Sequence, residues 1–521
     1  MKNPNFLFLC TDQLRADHLG CYGNKVVQTP HLDELAAQAH RYSRFYVASP
    51  SCQPNRAAMA TGRMPSINGV RHNGIPLPEH ATTFMHLLRD AGYATALIGK
   101  SHLQNMTGLP PFKSYEPVPP LTAPSADLQE AEVGRRVAPF YQTEDELNWP
   151  TSAMERLRRP FYGFEHYEIC TSHGDECGGD YALWAHEKEP DFERLRDLVK
   201  TRAASPYTAP QARRTAVPEK LYPSAYVAER TEAYLASRKG HDQPFFLQAS
   251  FPDPHYPFTP PGKYFDMYDP ADMELPESFY AADVPPMAHG LRKMLEAGKA
   301  YREGHAPFAV TEQEAREILA LTFGMITMID DCVGRILAAL DTNGFAENTV
   351  VIFASDHGDY MGDYGIMLKG NLHSQGLTRV PFLWKEPGAE ASVCDDLSSV
   401  IDIAPTILRR AGISPNNGVQ GRDLLSPETA PESVLIEGDD PGWSGPQSVP
   451  RTRTLQTKDW RVTVYQNRST GELYQLPDDP SETRNLWDHP QFQSERHALT
   501  EALLRSVIAH QENAPLQTNI S

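Results

Sequence analysis

Apolar positions along this chain gather in two distinct patterns. Four short runs, FLFLC (6–10), YATALIG (93–99), PFFLQAS (244–250) and TVVIFAS (349–355), are apolar without alternation and rich in β-branched or aromatic residues. That is the pattern of strands covered on both faces. Between them lie amphipathic stretches with helical spacing at 31–40, at 82–91 before Gly92, at 223–239 and at 311–341. The last is the clearest: Thr311 and Glu314 make a capping box, apolar residues recur at 318, 321, 325, 329, 333, 336 and 340, and Gly344 follows as a stop. A shorter helix is expected over 55–61, with Pro54 at its start. Strand–helix alternation predicts an α/β fold with a large, mainly parallel mixed sheet flanked by helices.

The pattern changes after about residue 430. VLIEG, TLQTKDWRVTVYQ and GELYQL alternate like antiparallel strands, and a helix is expected over roughly 490–510. The expected organisation is therefore an α/β domain over 1–430 and a smaller α+β subdomain over 431–521. Two proline-rich, polar excursions, about 105–220 and 251–310, interrupt the first domain and are expected to wall a pocket.

Composition narrows the classes of function. A chain of 521 residues with 40% hydrophobic content can build a sizeable core. Its formal net charge of −19 argues against nucleic acid or an anionic membrane as partner. No apolar run approaches the ~20 residues that span a bilayer. The N-terminal MKNPNFLFLCTDQ lacks the features of a secretion signal, so a cytoplasmic location is expected. Seven scattered cysteines (10, 21, 52, 170, 177, 332, 394) then read as reduced thiols, and Asn467-Arg-Ser as an unused sequon. Cys170 and Cys177, with His173 between them, have the wrong spacing for common zinc sites and read as incidental residues of a loop.

Candidate chemistry sits just past the four strands. They run into Asp12-Gln13, Lys100-Ser-His102, Pro-Asp-Pro-His255 and Asp356-His357. Open α/β sheets bind ligands beyond the carboxyl ends of their strands. Asp12, Gln13, Asp356 and His357 offer oxygen and imidazole donors suited to Ca²⁺, Mg²⁺ or Mn²⁺. The competing explanation is two helix-capping aspartates and a packed histidine. Arg56, Lys100, His102, His255 and Lys369 would together clamp a tetrahedral oxyanion, although lysine and arginine are mostly solvated surface residues.

One segment carries a resemblance. Cys52-Gln-Pro54-Asn-Arg56-Ala-Ala-Met-Ala-Thr61-Gly62 has the form C-x-P-x-R-x4-T-G and resembles the type I sulfatase signature of the alkaline-phosphatase superfamily. TDQLRADHLGCYG, IGKSHL, DPHYPF, SDHGDYMGDYG with Lys369, DIAPTILRRAGI and LYQLPDDPSETRNL resemble further landmarks of that family, in order from Asp12 to Leu486. The resemblance implies an alkaline-phosphatase-like fold and a sulfuric ester hydrolase. It implies that a maturation enzyme converts Cys52 to formylglycine, whose hydrated aldehyde attacks sulfur and then collapses to release sulfate. It implies one divalent metal held by Asp12, Gln13, Asp356, His357 and the modified Cys52. Arg56 would steady the formylglycine, Lys100 and Lys369 would hold sulfate oxygens, and His102 would orient the nucleophile. His255 would donate a proton to the leaving oxygen, and Asn73 would add a substrate contact.

Two positions depart from the commonest form of the family, Gln13 for aspartate and His357 for asparagine. They favour Mn²⁺ over Ca²⁺ and are shared with choline-sulfatase-like enzymes and phosphonate monoester hydrolases. The latter lack the Lys and His kept here as Lys100 and His102. Sulfate monoester hydrolysis is thus the first expectation, phosphonate monoester or phosphodiester hydrolysis the second, and a non-catalytic anion or metal binder the third. The expected partners are a small sulfate ester and the maturation enzyme. A homo-oligomer is left open.

Overall fold

Strand β1 (Asn5–Thr11) shows why the unalternated runs form strands: all its residues are buried, Leu7 and Leu9 in one core, Phe6, Phe8 and Cys10 in the other. Successive side chains leave a strand on opposite faces, so a strand covered on both sides reads as one apolar run. The structure is a computed structural model and describes residues 3–107, 139–145, 160–197, 204–426, 430–439 and 451–517.

β1 is the middle of a nine-stranded sheet. The other strands are β2 (His40–Tyr42), β3 (Ala94–Gly99), β4 (His166–Thr171), β5 (Gly178–Gly179), β6 (Phe245–Ser250), β7 (Thr349–Ser355), β8 (Phe382–Lys385) and β9 (Ser392–Cys394). Their spatial order is β9-β2-β8-β7-β1-β6-β3-β4-β5. The run β7-β1-β6-β3-β4 is parallel throughout, and antiparallel pairs enter at β7–β8, β8–β2 and β4–β5.

Helices cover both faces. Helices α1 (Pro30–Ala36), α4 (Asp180–Lys188), α5 (Pro223–Ser237) and α6 (Glu312–Thr342) contribute to one core. Helices α2 (Cys52–Thr61), α3 (Phe84–Asp90) and α7 (Ile403–Arg410) contribute to the other. Thr311 caps α6 as expected: Glu314 N donates to Thr311 Oγ1 at 3.3 Å and Thr311 N donates to Glu314 Oε2 at 2.9 Å. A second sheet of β10 (Ser433–Asp439), β11 (Arg451–Thr457), β12 (Trp460–Tyr465) and β13 (Gly471–Gln475) is antiparallel in chain order, and α8 (Gln493–Ala509) follows it. This sheet and the segment after it are tied to the first unit by Glu437 N to Ala48 O at 2.8 Å, Tyr364 Oη to Glu482 O at 2.9 Å and Gln375 N to Glu482 Oε2 at 2.8 Å.

Three expectations need correction. The helix expected over 31–40 ends at Ala36, and His40 opens β2, which pairs with β8 and β9. Helix α2 begins at Cys52 and not at Asn55. The excursion at 105–220 is not all loop, since β4, β5 and α4 lie within it and extend the main sheet. Its residues 108–138, 146–159 and 198–203 lie outside the described ones. All seven cysteines are free thiols. Among the described residues no helix is long and apolar enough to cross a membrane.

Candidate active site

The parallel strands end on one edge, and their ends meet there. Asp12 N donates to Asp253 O at 3.1 Å, Lys100 N to Ser250 O at 2.9 Å and Asp356 N to Thr11 O at 3.2 Å. Helix α2 is aimed at the same edge. Asn73 Oδ1 accepts from Gln53 N at 3.1 Å, and Gln53 Oε1 accepts from Gly74 N at 2.7 Å, so the RHNGI loop clasps the helix start. Asn55 Oδ1 accepts from Ala48 N at 2.9 Å and Ser49 N at 3.1 Å, while its Nδ2 donates to Asp356 O. The motif cysteine is thereby held at the first turn of α2 against the ends of β1 and β7.

Ligand atoms of Asp12, Cys52, Asp356 and His357 all lie within 4.8 Å of one another, and all four residues are buried. Asp356 Oδ1 accepts from Gln13 N at 3.0 Å and His357 N at 2.8 Å. Its Oδ2 accepts from Arg56 Nε at 2.7 Å. His357 Nδ1 lies 2.8 Å from Gly358 O, and its Nε2 lies 2.9 Å from Cys52 Sγ. A carbonyl can only accept, so Nδ1 donates to it, and in the neutral ring Nε2 aims a lone pair into the cluster. Gln13 Nε2 donates to Asp359 Oδ2, which fixes the amide, and Gln13 Oε1 accepts from Lys369 Nζ at 2.7 Å. The donor set fits a hard divalent cation: two carboxylates, an amide oxygen and one imidazole lone pair.

The cations surround this cluster. Lys369 Nζ directs its three protons to Gln13 Oε1, His255 Nε2 at 2.8 Å and Cys52 Sγ at 3.1 Å. Lys100 Nζ contacts Asp12 Oδ2 and His173 Nε2. Arg56 Nη1 donates to Lys100 O and Ser250 Oγ, both at 2.9 Å, and Nη2 stands 3.6 Å from Asp12 Oδ2. Arg56, Lys100 and Lys369 are at most 4% exposed. His102 N donates to Glu144 Oε1 at 2.6 Å and Gln104 N to Glu144 Oε2 at 2.6 Å, while the buried His102 Nδ1 has no hydrogen-bond partner among the described residues. Gln13 and His102 both hold positive φ, 65° and 56°, the kind of backbone strain that collects at functional sites.

Electrostatics follow from this packing. Burial opposes ionisation of Asp12, but Lys100 and Arg56 outweigh it and hold the carboxyl well below its usual range. Burial and Asp12 push the Cys52 thiol up, yet Lys369, His357 and Lys100 prevail and its pKa is lowered. Burial and nearby ammonium groups hold His255 well below the ordinary histidine value. Burial pushes Asp359 up to about 6 and Glu144 up to about 7.

A family model described as "Sulfatase" matches residues 4–113 and 178–413. The chain belongs to the sulfatase family, the sulfuric ester hydrolases. A second model, "N-sulphoglucosamine sulphohydrolase, C-terminal", matches residues 362–509. An arylsulfatase of Clostridium perfringens is 27% identical over 98% of this chain and 95% of its own length. A choline-sulfatase of Rhizobium meliloti is 26% identical over 95% of this chain and 85% of its own length. The crystal structure of a phosphonate monoester hydrolase of Agrobacterium radiobacter superposes with a TM-score of 0.75, covering 98% of this chain and 96% of that one, at 22% identity.

This sulfatase-family chain brings Asp12, Gln13, Cys52, Arg56, Lys100, His255, Asp356, His357 and Lys369 into one contact network. Asn73 reaches the same place, with its Oδ1 engaged in capping α2. Sequence reasoning missed Asn55, Asp359, Glu144 and His173. The first fills a variable position of the motif, and Asp359 had a signal in the repeated aspartates of SDHGDYMGD. Glu144 and His173 lie in the 105–220 excursion, outside the segments that carried the resemblance, and His173 reads in the sequence only as a loop residue between two cysteines.

Proposed function

We propose that this chain hydrolyses a sulfate monoester of an aryl or alkyl alcohol at Cys52, matured to formylglycine, with one divalent ion, Ca²⁺ or Mn²⁺. The observation that carries the reading is the cysteine at the start of α2, inside a buried cluster with Asp12, Asp356 and His357 and 3.1 Å from the Lys369 ammonium. Asp12, Gln13, Asp356 and His357 would hold the ion. When present, the ion and the formylglycine supply an activated oxygen nucleophile.

The side chains define the rest. Three buried cationic groups, Arg56, Lys100 and Lys369, face two carboxylates, Asp12 and Asp356. Uncompensated buried charge is unfavourable, so the surplus favours an anionic group such as a sulfate monoester. This local gathering offsets the overall −19 charge. Lys100 and Lys369 would take peripheral oxygens, and His102, with its unpartnered Nδ1, would contact the nucleophile. His255 has Nδ1 2.6 Å from Tyr256 O, so its proton sits there and Nε2 accepts from Lys369. To protonate a leaving oxygen, Nε2 must first gain a proton, which an anionic group bound beside it and drawing the Lys369 ammonium away would favour.

A second reading, phosphonate monoester or phosphodiester hydrolysis, is favoured by the neutral donors Gln13 and His357. The two separate in one experiment. Protein whose tryptic peptide 45–56 shows full conversion by mass is assayed for kcat/KM on an aryl sulfate and the matching aryl phosphonate monoester, with Mn²⁺ and with Ca²⁺. Sulfate preferred by several decades supports the first reading. Preference for the phosphonate replaces it with the second, and no turnover of any ester on converted protein leaves a binder.

A further inference from the structure

His173 belongs to no step of the chemistry described so far, yet it stands in the middle of it. Strand β4 ends at Thr171, and the chain then turns through Ser172 and Gly174, with φ of 57° and 53°. Left-handed backbone is strained at Ser172 but free at Gly174, where a Cβ would press on Pro257 and Thr259 at 3.1 Å. The turn leaves His173 only 7% exposed. Its Nε2 meets Lys100 Nζ and lies 3.8 Å from Asp12 Oδ2. Its ring lies flat on that of His255, with centroids 3.4 Å apart and planes 10° from parallel.

We propose that His173 is a positioning residue of this site: it accepts a hydrogen bond from Lys100 and fixes the ring plane of His255. An ammonium can only donate, so Nε2 of His173 carries the lone pair and Nδ1 the proton. One imidazole from the excursion thus orients the cation beside Asp12 and the imidazole beside Lys369. Asp12, His173 and His255 also form a trio able to hold a second ion. In this structure the same atoms already face ammonium groups, Asp12 Oδ2 and His173 Nε2 facing Lys100 and His255 Nε2 facing Lys369.

The proposal rests on the hydrolase reading, and its test separates the two. His173→Phe keeps a flat ring over His255 and removes the acceptor. His173→Gln places Oε1 near the position of Nε2 and removes the stack. Each is assayed on whichever ester the wild type turns over, with conversion of Cys52, ion content and melting temperature measured alongside. His173→Phe should lower kcat by about 10- to 100-fold, the usual effect of removing a group that orients a ligand-holding side chain. KM should change less than about threefold, because the lost interaction acts in the chemical step. His173→Gln should regain some of the lost kcat at an unchanged melting temperature. Wild-type kcat in His173→Phe overturns the proposal. Equal losses in both variants with a lowered melting temperature also overturn it, as does a second equivalent of ion lost with His173. Should the wild type turn over no ester, the hydrolase reading fails, and nitrogen NMR of the free protein still decides: protonated Nδ1 on His173 supports the proposal and protonated Nε2 overturns it.

Discussion

Arg56 makes four contacts that no lysine can reproduce. Its Nε reaches Asp356 Oδ2 at 2.7 Å, Nη1 reaches Lys100 O and Ser250 Oγ at 2.9 Å, and Nη2 faces Asp12 Oδ2 at 3.6 Å. The planar fork therefore spans the ends of β1, β3, β6 and β7 from one side chain on α2. Arg56→Lys keeps the charge but loses this span, and should lower kcat/KM by about 100-fold or more while leaving Asp356 half-satisfied. Kinetics with ion content measured on the same sample check this. Unchanged kinetics would show that charge alone matters at this position.

The junction of β3 and β6 admits no side chain at its end. Gly99 has φ of 104°, and a Cβ there would lie 1.9 Å from Ser250 O. The next residue is Lys100, whose amide donates to that same oxygen. Gly92 supplies the control, with φ of 92° and nothing within 4 Å. Both alanine variants carry backbone strain of about 1–3 kcal/mol. Only Gly99→Ala must also push β3 and β6 apart and displace Lys100. Urea unfolding should find Gly99→Ala the less stable of the pair, and only Gly99→Ala should lose activity.

The two sheets of the molecule are joined through buried polar contacts that respond to acid. His373 is fully buried, with Nδ1 2.8 Å from Thr454 Oγ1 of β11. Burial first, then Arg461 and Arg453, hold its pKa down to about 3. The unfolded chain protonates a histidine below about 6.5. Between those values the unfolded state binds the extra proton, so this contribution is complete above about pH 6.5 and fades as pH falls towards 3. The loss approaches about 1.4 kcal/mol per pH unit. His373→Asn should therefore show a shallower decline of Tm between pH 6.5 and 4 than the parent. Parallel curves would mean that His373 does not contribute to the acid response.

Much of this molecule was legible from local pattern, because strands buried on both faces and a capped amphipathic helix announce themselves within a few residues. That is why β1, β3, β6, β7 and α6 fell where the apolar runs predicted, with Asp12, Lys100 and Asp356 directly past the strand ends. Resemblance to one motif and its companions then gave Cys52 its role and set the cationic groups Arg56, His255 and Lys369 around it. What stayed hidden depends on partners far along the chain. β2 read as the tail of a helix because its pairing with β8 joins Arg41 to Leu383. β4, with the sequence HYEICT, is half polar, and so vanished into a proline-rich excursion. Asp359 holds the Gln13 amide across 346 positions and His173 meets Lys100 across 73, and no spacing rule reaches so far. Residue types and their order specify which chemistry the chain can carry. Which side chains share an atom's reach is a property of packing, since hydrogen bonds and ring contacts act over a few ångströms regardless of separation in sequence.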